Sequence, residues 1–401
     1  MRGRRGVLAF VALLAIAANL RGPLTSLPPL VDRISDALAL PGIAAGALTS
    51  VPLVCMGLLA PLAPRLAVRY GLEKAIGLGI ALIAVGTAGR ALAGAPGLYT
   101  GTVILGTGIA ITGALVPAAV RQAVPSSVGG GTSLANVVTM TMAALAAATA
   151  TPLADRFGWP VALALWALPA AMALIIWIPR MRGSGASSAS SSAGTPPPTT
   201  RASARLPWRS STAWLITGYL TANSLMFYAL LAWLPATYVD LGWSPTGAGV
   251  LLGAFNAWQL LAALVLTATL HRWRGDRRGL YIAAALLSLL GMLGVALVPD
   301  RATWLVVAVV GVGLGAGFTL GLVQLAHHVS SALDSARLSA MAFLVSFLLA
   351  AVGPALAGLA RDTTGSFTPS FLALAAIAAA QVVIATRLHP RRRVGAPPSL
   401  S

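Results

Sequence analysis

Apolar residues fall along this chain in twelve blocks, each apolar all round a helix rather than along one stripe. The blocks lie near residues 7–31, 43–64, 75–95, 98–120, 132–154, 160–179, 212–238, 247–270, 279–298, 302–326, 336–360 and 367–388. Each is close to the ~20 residues that carry a helix across a hydrocarbon layer. Strands of a membrane barrel would instead alternate over about 10 residues. The pattern predicts an all-α integral membrane protein of twelve transmembrane helices.

The polar breaks between blocks divide the chain in two. The longest, Gly183 to Ser211, is rich in Ser, Ala, Pro and Thr and reads as a disordered linker. It separates residues 1–182 from 212–390, six spans each, with 391–401 as a tail. The halves resemble one another at an offset of about 205 residues. P-L-A-D-R-F-G-W (Pro152 to Trp159) ends span five, and G-L-A-R-D-T-T-G-S-F (Gly358 to Phe367) ends span eleven. Asn19 and Asn223 sit at comparable depth, and spans one and seven both reach a Leu-Pro pair before an acidic residue. Two pseudo-symmetric six-helix halves imply alternating access around a solute held at the midplane.

Charge orients the spans. With the amino terminus inside, the inner segments take most of the basic residues, and the outer loops hold only Arg33, Arg90, Arg156, Arg301 and Arg361. That ratio of roughly four to one follows the positive-inside rule and puts both termini in the cytoplasm, as a multi-pass protein of the cytoplasmic (inner) membrane. Charged residues make up 9% of the chain, against about 25% in a globular domain, and mean hydropathy is +0.85. The net charge of +18 is spread over the inner loops with no aromatic-interleaved basic face, so nucleic acid is not an expected partner. Arg2, Arg4 and Arg5 precede an apolar stretch without a convincing cleavage site, which reads as a retained span rather than a signal peptide. The lone Cys55 allows neither an intramolecular disulfide nor a metal cluster.

Within the spans, Arg21 is the only charged side chain this reading places deep in the membrane. An unpaired guanidinium there costs roughly 3 kcal/mol even on lenient scales, so it implies a polar cavity or a partner. Pro23 cannot donate to the carbonyl of Asn19, so the helix should bend beside Arg21. Asn19, Arg21 and Thr25 then become candidates to line a wet cavity, with Arg21 clamping an anion through two parallel hydrogen bonds. The competing reading makes Arg21 a structural residue held by carbonyls at the kink. Further candidates for solute contact are Asn223, Ser224 and Tyr228 in span seven, Asn256 and Gln259 in span eight, and Asn136 near Thr139 in span five. Each could equally be a helix-to-helix hydrogen bond. Phe227, Phe255 and Trp258 are candidate pocket walls.

All nine acidic residues fall at span ends or in loops, so no midplane carboxylate is offered as a proton carrier. Asp32, and His327 with His328, remain candidate proton sites. Glycines 311, 313, 315 and 317 have no strand before them and fail the context of a dinucleotide loop; Gly313, Gly317 and Gly321 suit close helix approach instead. No metal cluster, cofactor motif or nucleophile triad stands out, so no enzyme and no cofactor are expected.

The stretches A-A-N-L-R-G-P-L-T-S in span one, S-V-P-L-V-C-M-G-L-L-A-P-L-A-P-R-L-A-V-R-Y-G-L-E-K-A around span two, F-Y-A-L-L-A-W-L-P in span seven and G-L-A-R-D-T-T-G-S-F after span eleven carry a resemblance. The chain resembles the cyanate and nitroimidazole transporter type (CynX/NimT) of the major facilitator superfamily. The superfamily's inner-loop motif G-x-L-A-D-R-x-G-R-K survives in part, with Arg65, Arg69 and Gly71 as its gating-loop residues. Pro64 replaces its first glycine and Val68 its acid. The resemblance implies the major facilitator fold and a secondary transporter of a small anionic or polar organic solute, cyanate-like or nitroimidazole-like, working as a monomer in the lipid bilayer. The alternatives are an efflux carrier for hydrophobic drugs and, from another class, a transport-inactive receptor or scaffold.

Overall fold

The structure is a computed structural model that describes residues 2–59, 62–92, 94–124, 128–187, 206–270, 276–328 and 332–388. Among these are twelve helical spans long and apolar enough to cross a membrane: Phe10–Leu38, Gly42–Leu59, Leu72–Gly89, Gly94–Val120, Leu134–Phe157, Trp159–Arg182, Ser211–Asp240, Pro245–Thr269, Arg278–Leu297, Thr303–Leu325, Arg337–Thr364 and Thr368–Arg387. Each overlaps its hydropathy block, because a span's existence depends on local apolar length.

The first span runs further than its block, through the amphipathic helix Val31–Leu38, and stops at Ala39 with φ 50°. Hydropathy misses this last stretch because Asp32, Arg33 and Asp36 interrupt the apolar run while Val31 and Ile34 stay buried. The sixth span's helix, Ala167–Ser187, continues past residue 183, where the linker was expected to begin. Residues 188–205 of that linker and the tail 391–401 lie outside the described residues.

Within each half, helices approach closely where side chains are small. Glycines 79, 86, 101 and 108 bring spans three and four together, and Gly291 and Gly313 do the same for spans nine and ten. The most extensive pairings between the halves set span two on span eleven and span five on span eight. The largest buried apolar cluster also crosses between them, setting Val31, Ala45, Leu53 and Ala147 against Tyr228, Trp233 and Leu252. The end of the bundle that carries the 183–211 connection is called the linker end below, and the opposite end the distal end.

Candidate solute site

The first span is broken at mid-depth. Its helix stops at Ala17, residues 18–21 form a turn, and helix resumes as Gly22–Thr25 and then as the short 3-10 turn Pro28–Leu30. Pro23 lacks an N–H, and Pro28 with Pro29 repeats the interruption a turn later. A break in hydrocarbon persists only if the released backbone groups find partners. The carbonyl of Ala17 lies 2.9 Å from the Thr139 hydroxyl on span five. Thr25 donates its hydroxyl back to the Ala143 carbonyl of the same helix, at 2.9 Å. The carbonyl of Pro23 accepts from Arg90 Nη1 at 2.6 Å.

The Arg21 side chain makes none of these contacts. It occupies the N-cap of Gly22–Thr25 with φ −127° and ψ −29°, and its side chain is half-buried. Its guanidinium carbon stands 4.8 Å from the centre of the Phe227 ring, on span seven of the other half. Among the described residues it has no ion pair and no side-chain hydrogen bond. Tyr228 lies within its electrostatic reach.

Facing Arg21 is an aromatic wall. Phe227 stacks on Phe255 at 6.0 Å and 19°, and meets Tyr228 edge-on at 4.7 Å. Tyr228 continues to Phe347 at 6.3 Å, and Phe347 stacks on Phe343 at 5.8 Å. Beside this wall a narrow cavity of about 10 Å³, room for one water molecule, lies between the halves. Thr49, Leu53 and Arg90 line it from the first half, Tyr228 and Leu231 from the second.

The structure brings Arg21, Phe227, Phe255 and Tyr228 together and places the other expected residues variously. Asn19 is buried, with Nδ2 donating to Ala15 O at 2.8 Å. Asn223 donates to Leu314 O at 3.3 Å, at the contact with span ten, and Ser224 beside it is buried. Asn256 is fully buried and donates to Leu252 O of its own helix at 2.9 Å. Asn19 Oδ1, Asn223 Oδ1, Asn256 Oδ1 and Gln259 Nε2 are buried without a hydrogen-bond partner, and such open valences call for an explanation. Thr25 turns to span five instead, Asn136 is exposed, and Trp258 is 39% exposed.

Arg90 is the cavity-lining residue that the sequence reading put elsewhere. Assigned there to an outer loop, it is 1% exposed and cradles the break in span one. It follows a helix that ends at Gly89 and is flanked by small and apolar residues, A-G-R-A-L-A, with no polar cluster to hold it in water.

The gating-loop residues stand apart from the cavity. Arg65 and Arg69 lie on the helix Leu62–Tyr70, with Arg69 5.3 Å from the Tyr70 ring. No ion pair involves either among the described residues, and Val68, in the acid's place, is exposed. Gly71 turns the chain into span three at φ 89°, a conformation a side chain would strain. His328 is buried with Nδ1 3.3 Å from Gln324 O, while the side chain of His327 lies outside the description.

The distal end is fastened across the halves. Arg361 on span eleven bridges Asp240 on span seven and Asp32 on span one, each at 2.7 Å. Gly42, Gly46 and Gly358 let spans two and eleven meet backbone to backbone, and within the second half Trp233 donates to Pro354 O at 2.7 Å. Within the first half, Arg33 pairs with Asp155 at 2.6 Å.

The sequence matches the Major Facilitator Superfamily over residues 7–329 and 223–401. It is 34% identical over 378 residues to the 2-nitroimidazole transporter of Escherichia coli (strain K12), covering 94% of this chain and 93% of that protein. It is 29% identical over 384 residues to the cyanate transport protein CynX of the same organism, covering 95% and 97%. Among solved structures, a bacterial homolog of the human lysosomal transporter Spinster, inward-facing and unoccupied, superposes with a TM-score of 0.76 at 14% identity, covering 98% and 99%. A twelve-span bundle with a broken first helix and a cavity between its halves agrees with these matches: the chain belongs to the Major Facilitator Superfamily and is a multi-pass secondary transporter of the membrane.

Proposed function

We propose that this transporter moves a small anionic or strongly polar organic solute across the cytoplasmic membrane, with both termini in the cytoplasm and Arg21 as the solute clamp. The observation that carries the reading is Arg21 itself: an intramembrane guanidinium, half-buried between the halves, with an aromatic ring on one side and no acid beside it. Such a group is costly unless a solute or water answers it. The relatives named for 2-nitroimidazole and for cyanate handle small polar solutes, which fits the sign of the site. Tyr228 and the open valences of Asn19, Asn223, Asn256 and Gln259 would supply neutral contacts as the cavity widens.

The two halves, 1–182 and 212–390, rock about the 183–211 connection, and the Arg65, Arg69 and Gly71 loop acts at the linker end. In this reading the monomer is the working unit, a carrier and not an enzyme.

The test is thermal stabilisation of the detergent-purified protein by small organic anions and neutral heterocycles. A solute at 100 times its Kd should raise stability by about 2.7 kcal/mol. Arg21→Ala should weaken anion binding about 10- to 100-fold, the worth of a charge-assisted hydrogen bond. Arg21→Lys should lose much of the affinity although the charge stays, because the forked donor pair is gone. Equal stabilisation of wild type and Arg21→Ala would move the site elsewhere. Stabilisation by lipophilic compounds alone would favour drug efflux.

A further inference from the structure

A second arginine lies close to this site and lines the cavity itself. Arg90 caps span three and its side chain turns inward until 1% of it is exposed. Nη1 donates to Pro23 O at 2.6 Å and Nε to the Thr102 hydroxyl at 3.2 Å. That hydroxyl in turn donates to Leu98 O at 2.7 Å. These partners are neutral. No carboxylate pairs with Arg90 among the described residues. A guanidinium has five N–H donors, of which these contacts use two. The same side chain lines the cavity opposite Tyr228, whose ring lies beside Phe227 under Arg21.

Arg90 thus lines the cavity opposite Tyr228, Arg21 stands on the far side of the adjoining Phe227 and Tyr228 rings, and no acidic side chain is among the lining residues. Neutral carbonyl and hydroxyl groups satisfy the hydrogen bonds of a buried guanidinium but leave its charge uncompensated. The cavity is narrow here because the distal end is fastened by Arg361 and by the close approach of spans two and eleven. Its walls belong to different halves, so parting the halves at that end draws Tyr228 and Leu231 away from Thr49 and Arg90 and makes room.

We propose that Arg90 is the second cationic contact of the solute site, and that the solute carries two oxygen acceptor groups, an anionic one held by Arg21 and another held by Arg90, with Tyr228 between them. The proposal rests on the reading of Arg21 as the solute clamp. A solute with one acceptor group binds at Arg21 alone; a dicarboxylate, or a carboxylate with a nitro or carbonyl group, spans both.

The experiment compares malonate with acetate, titrated at constant ionic strength against the full-length protein in detergent, with Kd taken from the shift in thermal midpoint. Malonate should bind about ten-fold tighter than acetate to the wild type, the worth of one added charge-assisted contact. Arg90→Gln keeps an amide N–H for the Pro23 carbonyl and removes the charge. It should bring the two affinities to within about two-fold of each other while acetate binding stays near its wild-type value. Where that variant is not recovered folded, Arg90→Lys takes its place and should lower the preference about three-fold, since an ammonium lacks the fork.

A wild type with no preference for malonate overturns the proposal, as does a preference unchanged in whichever variant is recovered. An Arg90 that merely braces span one would lower stability without altering the ratio. Arg21→Ala separates the two readings. Loss of both acids supports the clamp. Retention of both in Arg21→Ala, with malonate preference lost in Arg90→Gln, overturns the clamp and leaves the site at Arg90.

Discussion

At the break in span one, Arg90 and Thr139 serve the backbone while Arg21 does not. Arg90 holds the Pro23 carbonyl and Thr139 lies against the Ala17 carbonyl, whereas the guanidinium of Arg21 stands over a ring. Removing Arg90 should therefore harm folding and removing Arg21 should not. Arg90→Ala should cost about 1–3 kcal/mol, the loss of a charge-assisted hydrogen bond that leaves the Pro23 carbonyl with only the Ser26 hydroxyl at 3.3 Å, and Arg21→Ala no more than about 0.5–1 kcal/mol, the worth of its contact with the Phe227 ring. Thermal unfolding without solute ranks the two, and the opposite ranking would make Arg21 the structural arginine. Thr139→Val should cost about 0.6 kcal/mol, the usual worth of a hydrogen bond between helices in membranes. Residue type and depth were enough to single out Arg21 from the sequence. They could not single out Arg90, because a loop arginine and one folded back into the bundle read alike until the neighbouring helices are placed.

Spans one and seven are counterparts in the two halves, yet only the first is broken. Span seven is a single helix from Ser211 to Asp240, started by the Ser210 hydroxyl accepting from the Ala213 N–H and carrying Pro235 within it. Asn19 follows the stop at Ala17, while Asn223 faces span ten from an unbroken helix. A cation at a helix break thus meets an aromatic wall on an unbroken helix. The counterparts also exchange charge. In the first half Arg33 of span one meets Asp155 of span five, and in the second Asp240 of span seven meets Arg361 of span eleven. Between the halves, spans two and eleven touch at Gly46, where a Cβ would run into the Pro354 carbonyl. Gly46→Leu should hold the distal end open. Disulfide formation between cysteines placed at Ile43 and Asp362, whose backbone N–H and carboxylate lie 3.4 Å apart, should then fall; undiminished crosslinking would show that the contact yields elsewhere.

For the whole molecule the distal fastening sets which face is shut. Arg361 is the one side chain that pairs in both halves among the described residues, but its side chain is 27% exposed and its partners Asp32 and Asp240 are 32% and 38% exposed. Solvent screening keeps such bridges near 0.2–1 kcal/mol each, so the fastening biases the halves without locking them. Arg361→Gln should shift the balance toward the distally open form by about 1 kcal/mol, roughly five-fold in population. Labelling of Thr49→Cys in the cavity, in a Cys55→Ser background, by a membrane-impermeant maleimide should speed up accordingly. High salt should weaken the same pairs in the unsubstituted protein. An unchanged labelling rate would leave the apolar and glycine contacts as the whole of the closure.

Twelve spans, their division into sixes and an arginine needing an answer were all legible in the sequence, because each depends on local quantities: apolar length, the position of a polar connection, and a charge inside an apolar run. Such properties survive any arrangement of the helices, since hydrocarbon demands them of each span separately. The tertiary structure decided what two side chains of the same type would do. Arg21 and Arg90 differ in their neighbours, and only packing brought Pro23 and Thr102 to one and Phe227 to the other. It also turned Thr25 toward span five and brought Asp32 to an arginine more than three hundred residues away in the chain. Those outcomes depend on which helices meet and on the atoms that are left to satisfy there.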